Sequence, residues 1–150
     1  MPSKLMISTG MTTAQLQAIA DALAANGGAE VRIFAGNMPA SANAGVGSAV
    51  LLGTVTGPDG EALGLEVDNA LLQKDPEQVW TGDYVAAGRA TFFRLCAADD
   101  TNAASTTLPR MQGTVGLIEC DLNLMAVDAV VGQPVPIKEF LYSFREAEQG

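Results

Sequence analysis

The chain has 150 residues, 48% of them apolar, and its 17 acids against 8 bases give a formal charge of −9. That length and composition fit one domain with a core of its own and exclude a disordered, charge-rich tail. The acidic balance, with Lys4, Arg32, Lys74, Arg89, Arg94, Arg110, Lys138 and Arg145 scattered along the chain, speaks against a phosphate-tracking nucleic-acid binder. No apolar run approaches the roughly 18 residues of a membrane span, and the first seven residues lack a secretory pattern. A soluble protein made in the cytosol is expected, with neither nucleic acid nor membrane among its partners.

Residues 1–10 read as an N-terminal arm or a first edge strand, and residues 11–150 as one β-rich domain led by a helix. Leu5, Met6 and Ile7 are apolar and precede the helix cap. They suit an arm lying on a neighbouring molecule and equally a first strand of the same domain. Thr12 and Gln15 have the spacing of a capping box, with Met11 and Leu16 as its hydrophobic staple. Leu16, Ile19, Ala20 and Leu23 then recur on one helical face. Asn26-Gly27-Gly28 ends the helix, since glycine takes the left-handed cap conformation freely.

Strands and turns follow. Residues 30–35 form a β-branched and aromatic strand ending at Gly36-Asn37-Met38-Pro39. Residues 50–56 and 61–67 flank Gly57-Pro58-Asp59-Gly60, which predicts a hairpin. Val79-Trp80 starts a short strand. Residues 89–97 carry Phe92, Phe93 and Leu95 on alternating sides, a strand covered on both faces. Residues 114–119 and 122–127 are the next strands. In the last, Val135 and Ile137 are out of phase with Phe140, Tyr142 and Phe144, and a β-bulge at Lys138-Glu139 would restore the phase. About seven or eight short strands and one helix predict a mainly β fold, an antiparallel β-sandwich or jelly roll with one N-terminal α-helix.

The chain has no histidine, which removes the commonest general base and the usual nucleophile pairs. Cys96 and Cys120 lack zinc spacing and read as buried thiols. Gly45-Val46-Gly47-Ser48 lacks the third glycine of a dinucleotide fingerprint, and no helix follows it. Asp59-Gly60-Glu61 and Asp99-Asp100 lack the alternating oxygen ligands of a calcium loop and read as turns. Trp80, Tyr84 and Tyr142 suit core or interface packing, with a sugar-binding platform as the rival. The expectation is a protein that is not an enzyme, with no catalytic, metal or cofactor-binding residues. Leu5, Met6, Ile7, Met38 and Pro39 are its candidate partner-interface residues.

Three blocks resemble a pattern in small virion structural proteins of tailed bacteriophages. They are Val31-Arg32-Ile33-Phe34-Ala35-Gly36-Asn37-Met38-Pro39-Ala40 after the helix and the aromatic Gly88-Arg89-Ala90-Thr91-Phe92-Phe93-Arg94-Leu95. The third is Gly113-Thr114-Val115-Gly116 with Asp121-Leu122-Asn123-Leu124, leading into a final strand with Phe140. With the helix they span residues 12–144, while residues 50–83 match only as strands and turns. The resemblance implies a structural virion protein, in some relatives a jelly-roll cement or decoration protein bound outside the major capsid shell, and the capsid surface is the location expected here. Its partners would be the major capsid protein and itself, as a homodimer or homotrimer. A tail or connector component and a carbohydrate-binding sandwich for host attachment are the alternatives.

Overall fold

The computed structural model describes residues 5–25, 27–68 and 71–142, and for residues 138–142 the backbone alone. In chain order the elements are α1 (Thr9–Ala24), β1 (Ala29–Ala35), β2 (Val50–Val55), a 3-10 turn (Pro58–Gly60), β3 (Leu65–Asp68) and β4 (Leu71–Lys74). Then come β5 (Gly88–Arg89), β6 (Phe92–Ala97), β7 (Arg110–Gly116), β8 (Leu122–Leu124), β9 (Asp128–Ala129) and β10 (Ile137–Tyr142).

The helix begins one turn earlier than the capping-box spacing predicts. Ser8 is the N-cap, and its Oγ accepts the Met11 N–H at 3.1 Å. The Thr12 hydroxyl, which was to cap, donates instead to the Ser8 carbonyl. A serine at the end of extended backbone answers an orphan N–H as well as a threonine does. The helical stripe itself is as expected: Leu16 and Leu23 are buried, with Ile19 and Ala20 half-buried beside them.

The chain is mainly β with one helix. In place of two antiparallel sheets face to face, eight strands form one curled, mixed sheet in the order β2-β1-β6-β7-β8-β10-β4-β3, and β5 pairs with β9. The helix packs across the concave side, touching β1 and β6 in one half of the sheet and β3 and β4 at the far end. Under it lies the core, built from Val31 and Ile33 of β1, Phe93 and Leu95 of β6, and Leu122 and Leu124 of β8. Each such side chain contributes about 1.5–3 kcal/mol by leaving water.

The predicted hairpin across residues 57–60 does not form. The segment makes a tight turn, with the Gly57 N–H donating to the Glu61 carbonyl, but β2 pairs with β1 and β3 with β4. A turn signal reverses the chain without choosing the strand it will meet. Among the described residues one strand pair is parallel, and it is equally unexpected: Val115 lies opposite Leu122 and Gly116 opposite Asn123. Residues 117–121 loop back through Glu119 in a left-handed conformation at φ 56°. The loop is held where the Asp121 carboxylate accepts the Thr114 N–H at 2.9 Å and the Asn123 side chain accepts the Cys120 N–H. A Cβ on Gly113 would sit 2.7 Å from the Asp121 side chain, so this return needs glycine there.

The bulge expected in the last strand is present. Ile137 lies opposite Leu124 and Phe140 opposite Leu122, with a register shift between Ile137 and Glu139. Two positions three apart in sequence thus share a face with two leucines two apart. Phe144 lies outside the described residues.

Candidate interaction surface

Of the five candidate interface residues, Leu5 and Met6 are the most exposed, at 89% and 86%, and Ile7 and Met38 are exposed as well. Pro39 is half-buried, and its carbonyl accepts a hydrogen bond from the Gln112 side chain at 2.8 Å. Residues 5–8 belong to no strand, and Ser8, the last of them, has extended backbone at φ −78° and ψ 162° where it caps the helix. The five do not make one site. The arm leads into the helix on the concave side, whereas Pro39 is tied to side chains that rise from the convex side.

The structure adds apolar surface that the sequence pattern does not single out. Tyr84 exchanges backbone hydrogen bonds with Gly132 and Gln133, which sets exposed Val85 beside exposed Val130 and Val131. The Val85 N–H also donates to the Leu52 carbonyl, carrying this patch to Val50 and Leu51 of β2, the outermost strand. A second apolar tip, Leu117 and Ile118, caps the β7–β8 return. The pair Val130-Val131 before a Gly132 turn was the available sequence signal, since two valines at a turn have no core to enter.

What holds the convex side was not foreseen. Alternate residues of β1, β6 and β7 point away from the core, and the register sets Arg32 opposite Arg94, Arg94 opposite Gln112 and Cys96 opposite Arg110. Like charges placed so destabilise a sheet unless answered. Here loop carbonyls and two acids answer them. Arg110 grips Asp100 with Nε and Nη2, at 2.6 and 2.8 Å, and also bonds the carbonyls of Ala42 and Ala103. Arg32 binds Glu30 at 2.6 Å and the carbonyls of Ala98 and Asp100. Arg94, at 0% exposure, reaches the Ala44 carbonyl at 2.6 Å and the Gln112 side chain, and among the described residues its Nη1 has no hydrogen-bond partner. Residues 36–49 and 98–109, two loops of mostly small residues, are thereby fastened over the sheet. The segment that resembled a dinucleotide loop is part of this cover, where the Val46 N–H donates to the Asn102 carbonyl.

Charge follows the same geometry. Burial alone would push the Asp100 carboxyl up. The hydrogen bonds from Arg110 and the Asn102 backbone, with the charges of Arg110 and Arg32, outweigh it and hold the group below its usual value. Burial, and then the Arg110 charge, pull Arg94 down. The buried Cys96 thiol is pushed up to about 11 by burial. Cys120 is half-buried on the β7–β8 return, and both cysteines are free thiols.

Among the described residues no group of three or more cysteines and acids is placed to hold a metal ion, and no helix is long and apolar enough to cross a membrane. Trp80 and Tyr84 lie in the core, so two of the three aromatics of the sugar-platform alternative are unavailable to a ligand. The side chain of Tyr142 lies outside the described residues. Set against protein-family models, curated proteins and solved structures, the chain matches none.

Proposed function

We propose that this chain is a structural protein that works by packing against other proteins, as a cement or decoration protein on the outside of a viral capsid. The observation that carries the reading is apolar surface displayed where a neighbour can reach it. Exposed residues 5–7 stand ahead of the helix, Val50 and Leu51 are exposed on β2, and Val85, Val130 and Val131 are exposed on the segments bonded to it and to each other. Exposed apolar surface of this kind marks sites of protein contact. Loops fastened by buried arginines suit such a part, because a cover that is already ordered loses little entropy on docking. The virion role comes from the likeness of the three sequence blocks, which fall on β1, on β5 and β6, and on β7 and β8, and the capsid surface is our inference from it. On this reading the chain carries out no catalysis, and its partners are the major capsid protein and further copies of itself. Many weak contacts repeated over a lattice then give strong avidity.

A reconstruction of the intact particle that locates and counts the chain is the test. Cement protein is expected in hundreds of copies on the shell, and shells lacking it should open at lower temperature. A chain found only in the tail, or in no purified particle, overturns the reading.

A further inference from the structure

The sheet ends at β3. It is the last strand in the order and, among the described residues, pairs with β4 alone. The direction of its backbone groups follows from two bonds. The Gly64 carbonyl accepts the Asp75 N–H at 3.0 Å, on the β4 side, and the Leu63 N–H donates to the Ala29 carbonyl at 2.9 Å, on the opposite side. Backbone groups alternate along an antiparallel strand, and the register runs unbroken from Leu65 opposite Lys74 to Asp68 opposite Leu71. The N–H and C=O of Leu65 and Val67 therefore face outward, and among the described residues no hydrogen bond reaches them. Beside this edge lies a groove of about 240 Å³, walled by Ala20, Asp21 and Ala24 of α1 and by Leu65, and ended by Gly28 and Ala29. An unpaired strand edge beside a groove is what an added extended peptide requires: main-chain bonds for affinity and room for alternate side chains.

Charge names the occupant. The charged residues of α1 and β3 are all acids: Asp21 on the helix, and Glu66 and Asp68 on one face of the strand. Among the described residues none of the three is in an ion pair. Asp21 accepts the Gln17 amide at 3.0 Å and Glu66 the Gln73 amide at 2.9 Å, and both keep their charge unanswered. Lys74, opposite Leu65, is engaged elsewhere: its Nζ donates to the carbonyls of Asp75 and Gln78 and lies over the Trp80 ring. A second copy is a poor occupant. Two-fold pairing through Leu65 and Val67 would set Glu66 against Glu66 of the other copy in the close, non-hydrogen-bonded pair, where like charges destabilise. A basic segment meets the same row with opposite charge.

We propose that β3 takes an extended, basic segment of another protein as an added strand, its main chain bonded to Leu65 and Val67. Bases on one face of that segment pair with Glu66 and Asp68, and small apolar side chains on the other enter the groove beside Ala20 and Ala24. The inference rests on the reading that the chain works by packing against protein, and it names the docking strand and the chemistry of the partner.

Titrating the full chain with a blocked peptide of alternating valine and lysine, read by amide exchange, tests it. The same peptide with glutamate for lysine is the control. The basic peptide should slow exchange at the Leu65 and Val67 amides, and the glutamate peptide should leave both unchanged. Val67→Pro removes an outward N–H without touching the β4 ladder, since proline is tolerated where an edge strand's N–H faces away from its neighbour. It should raise the dissociation constant at least about tenfold. Glu66→Gln should raise it about threefold and flatten its salt dependence. Glu119→Gln, on the β7–β8 return, should change neither. If Val67→Pro does not fold, exchange at residues 65 and 67 of the unaltered chain still decides. Equal slowing by both peptides, slowing confined to other residues, or no response at millimolar peptide overturns the proposal, and so does self-association of the full chain through the same amides. Shells decorated as well by Val67→Pro as by the unaltered chain sink the docking edge alone. A chain that binds the basic peptide but occurs in no particle sinks the capsid reading alone.

Discussion

The two faces of β1 and β6 are almost equally hidden from water, and they are filled by opposite means. Every residue of β6 is buried: Phe93 and Leu95 meet the core, while Phe92, Arg94 and Cys96 lie beneath the loops. On the concave side dispersion and the hydrophobic effect suffice, and neighbours need only fit. On the convex side the cover is irregular chain, whose backbone carbonyls would be orphaned if buried under apolar side chains. Arginine resolves that, with five donors in a rigid fork on a long apolar stem. Phe34 stacks on Phe92 at 5.0 Å on the same side, so the loops rest partly on aromatic surface and are tied down by guanidinium groups.

The contrast can be broken by substitution. Phe93→Ala should have the largest effect, about 3–5 kcal/mol lost in urea unfolding, from the cavity it leaves in a core closed on all sides. Asp100→Ala should come next, near 3 kcal/mol, because it strands the Arg110 guanidinium in a buried site. Arg94→Met should cost only about 1–2 kcal/mol, since among the described residues Arg94 is in no ion pair and the loss is confined to hydrogen bonds. If Arg94→Met proved as damaging as Asp100→Ala, acid-paired and carbonyl-paired arginines would be equivalent here. Both convex-side variants should speed amide exchange in residues 36–49 and 98–109 and leave the core strands protected, which Phe93→Ala should not.

A smaller effect depends on acid. The Asp100 carboxyl titrates lower in the folded chain than in the unfolded one, so its stabilisation is fully present above the ordinary carboxylate value of ~3.9 and is lost as pH falls through the folded value. Unfolding free energies at pH 7 and pH 3 should therefore diverge more in the wild type than in Asp100→Asn. An equal slope would mean that the pair with Arg110 contributes nothing. The smallest expectation leaves stability untouched. With its thiol raised to about 11 and no exposure, Cys96 should resist a thiol reagent at pH 8 until the chain unfolds.

Elements whose partners are local, or whose pattern reports burial directly, were legible in the sequence. The Leu16–Leu23 stripe gave the helix, the paired phenylalanines gave a strand covered twice, and the broken phase near Lys138 gave the bulge. Pairing was not legible. Gly57-Pro58-Asp59-Gly60 marks a reversal, yet the next strand joins one far along the chain, and a five-residue return gives parallel strands where crossovers are usually longer. The arginines escaped notice because scattered bases look like a solvated surface. Arg32 sits between Val31 and Ile33, and Arg94 between Phe93 and Leu95, so a base amid apolar neighbours was the sign that both were buried. Of the interface candidates, residues 5–7 were visible as apolar residues ahead of the helix cap, whereas the patch around Val85 was not, since it depends on Tyr84 meeting Gly132 and Gln133 in space.

The strand order also sets a timetable. β3 and β4 are made early and pair with each other, but their way into the sheet runs through β10, which lies between β4 and β8. On the ribosome the hairpin must wait until residues 137–142 emerge, with Leu72 of β4, buried in the finished fold, without that cover. Synthesis that stalls or stops before β10 would release a β2–β1–β6–β7–β8 half-sheet with a raw edge. A chaperone or a neighbouring nascent chain is the natural thing to meet it.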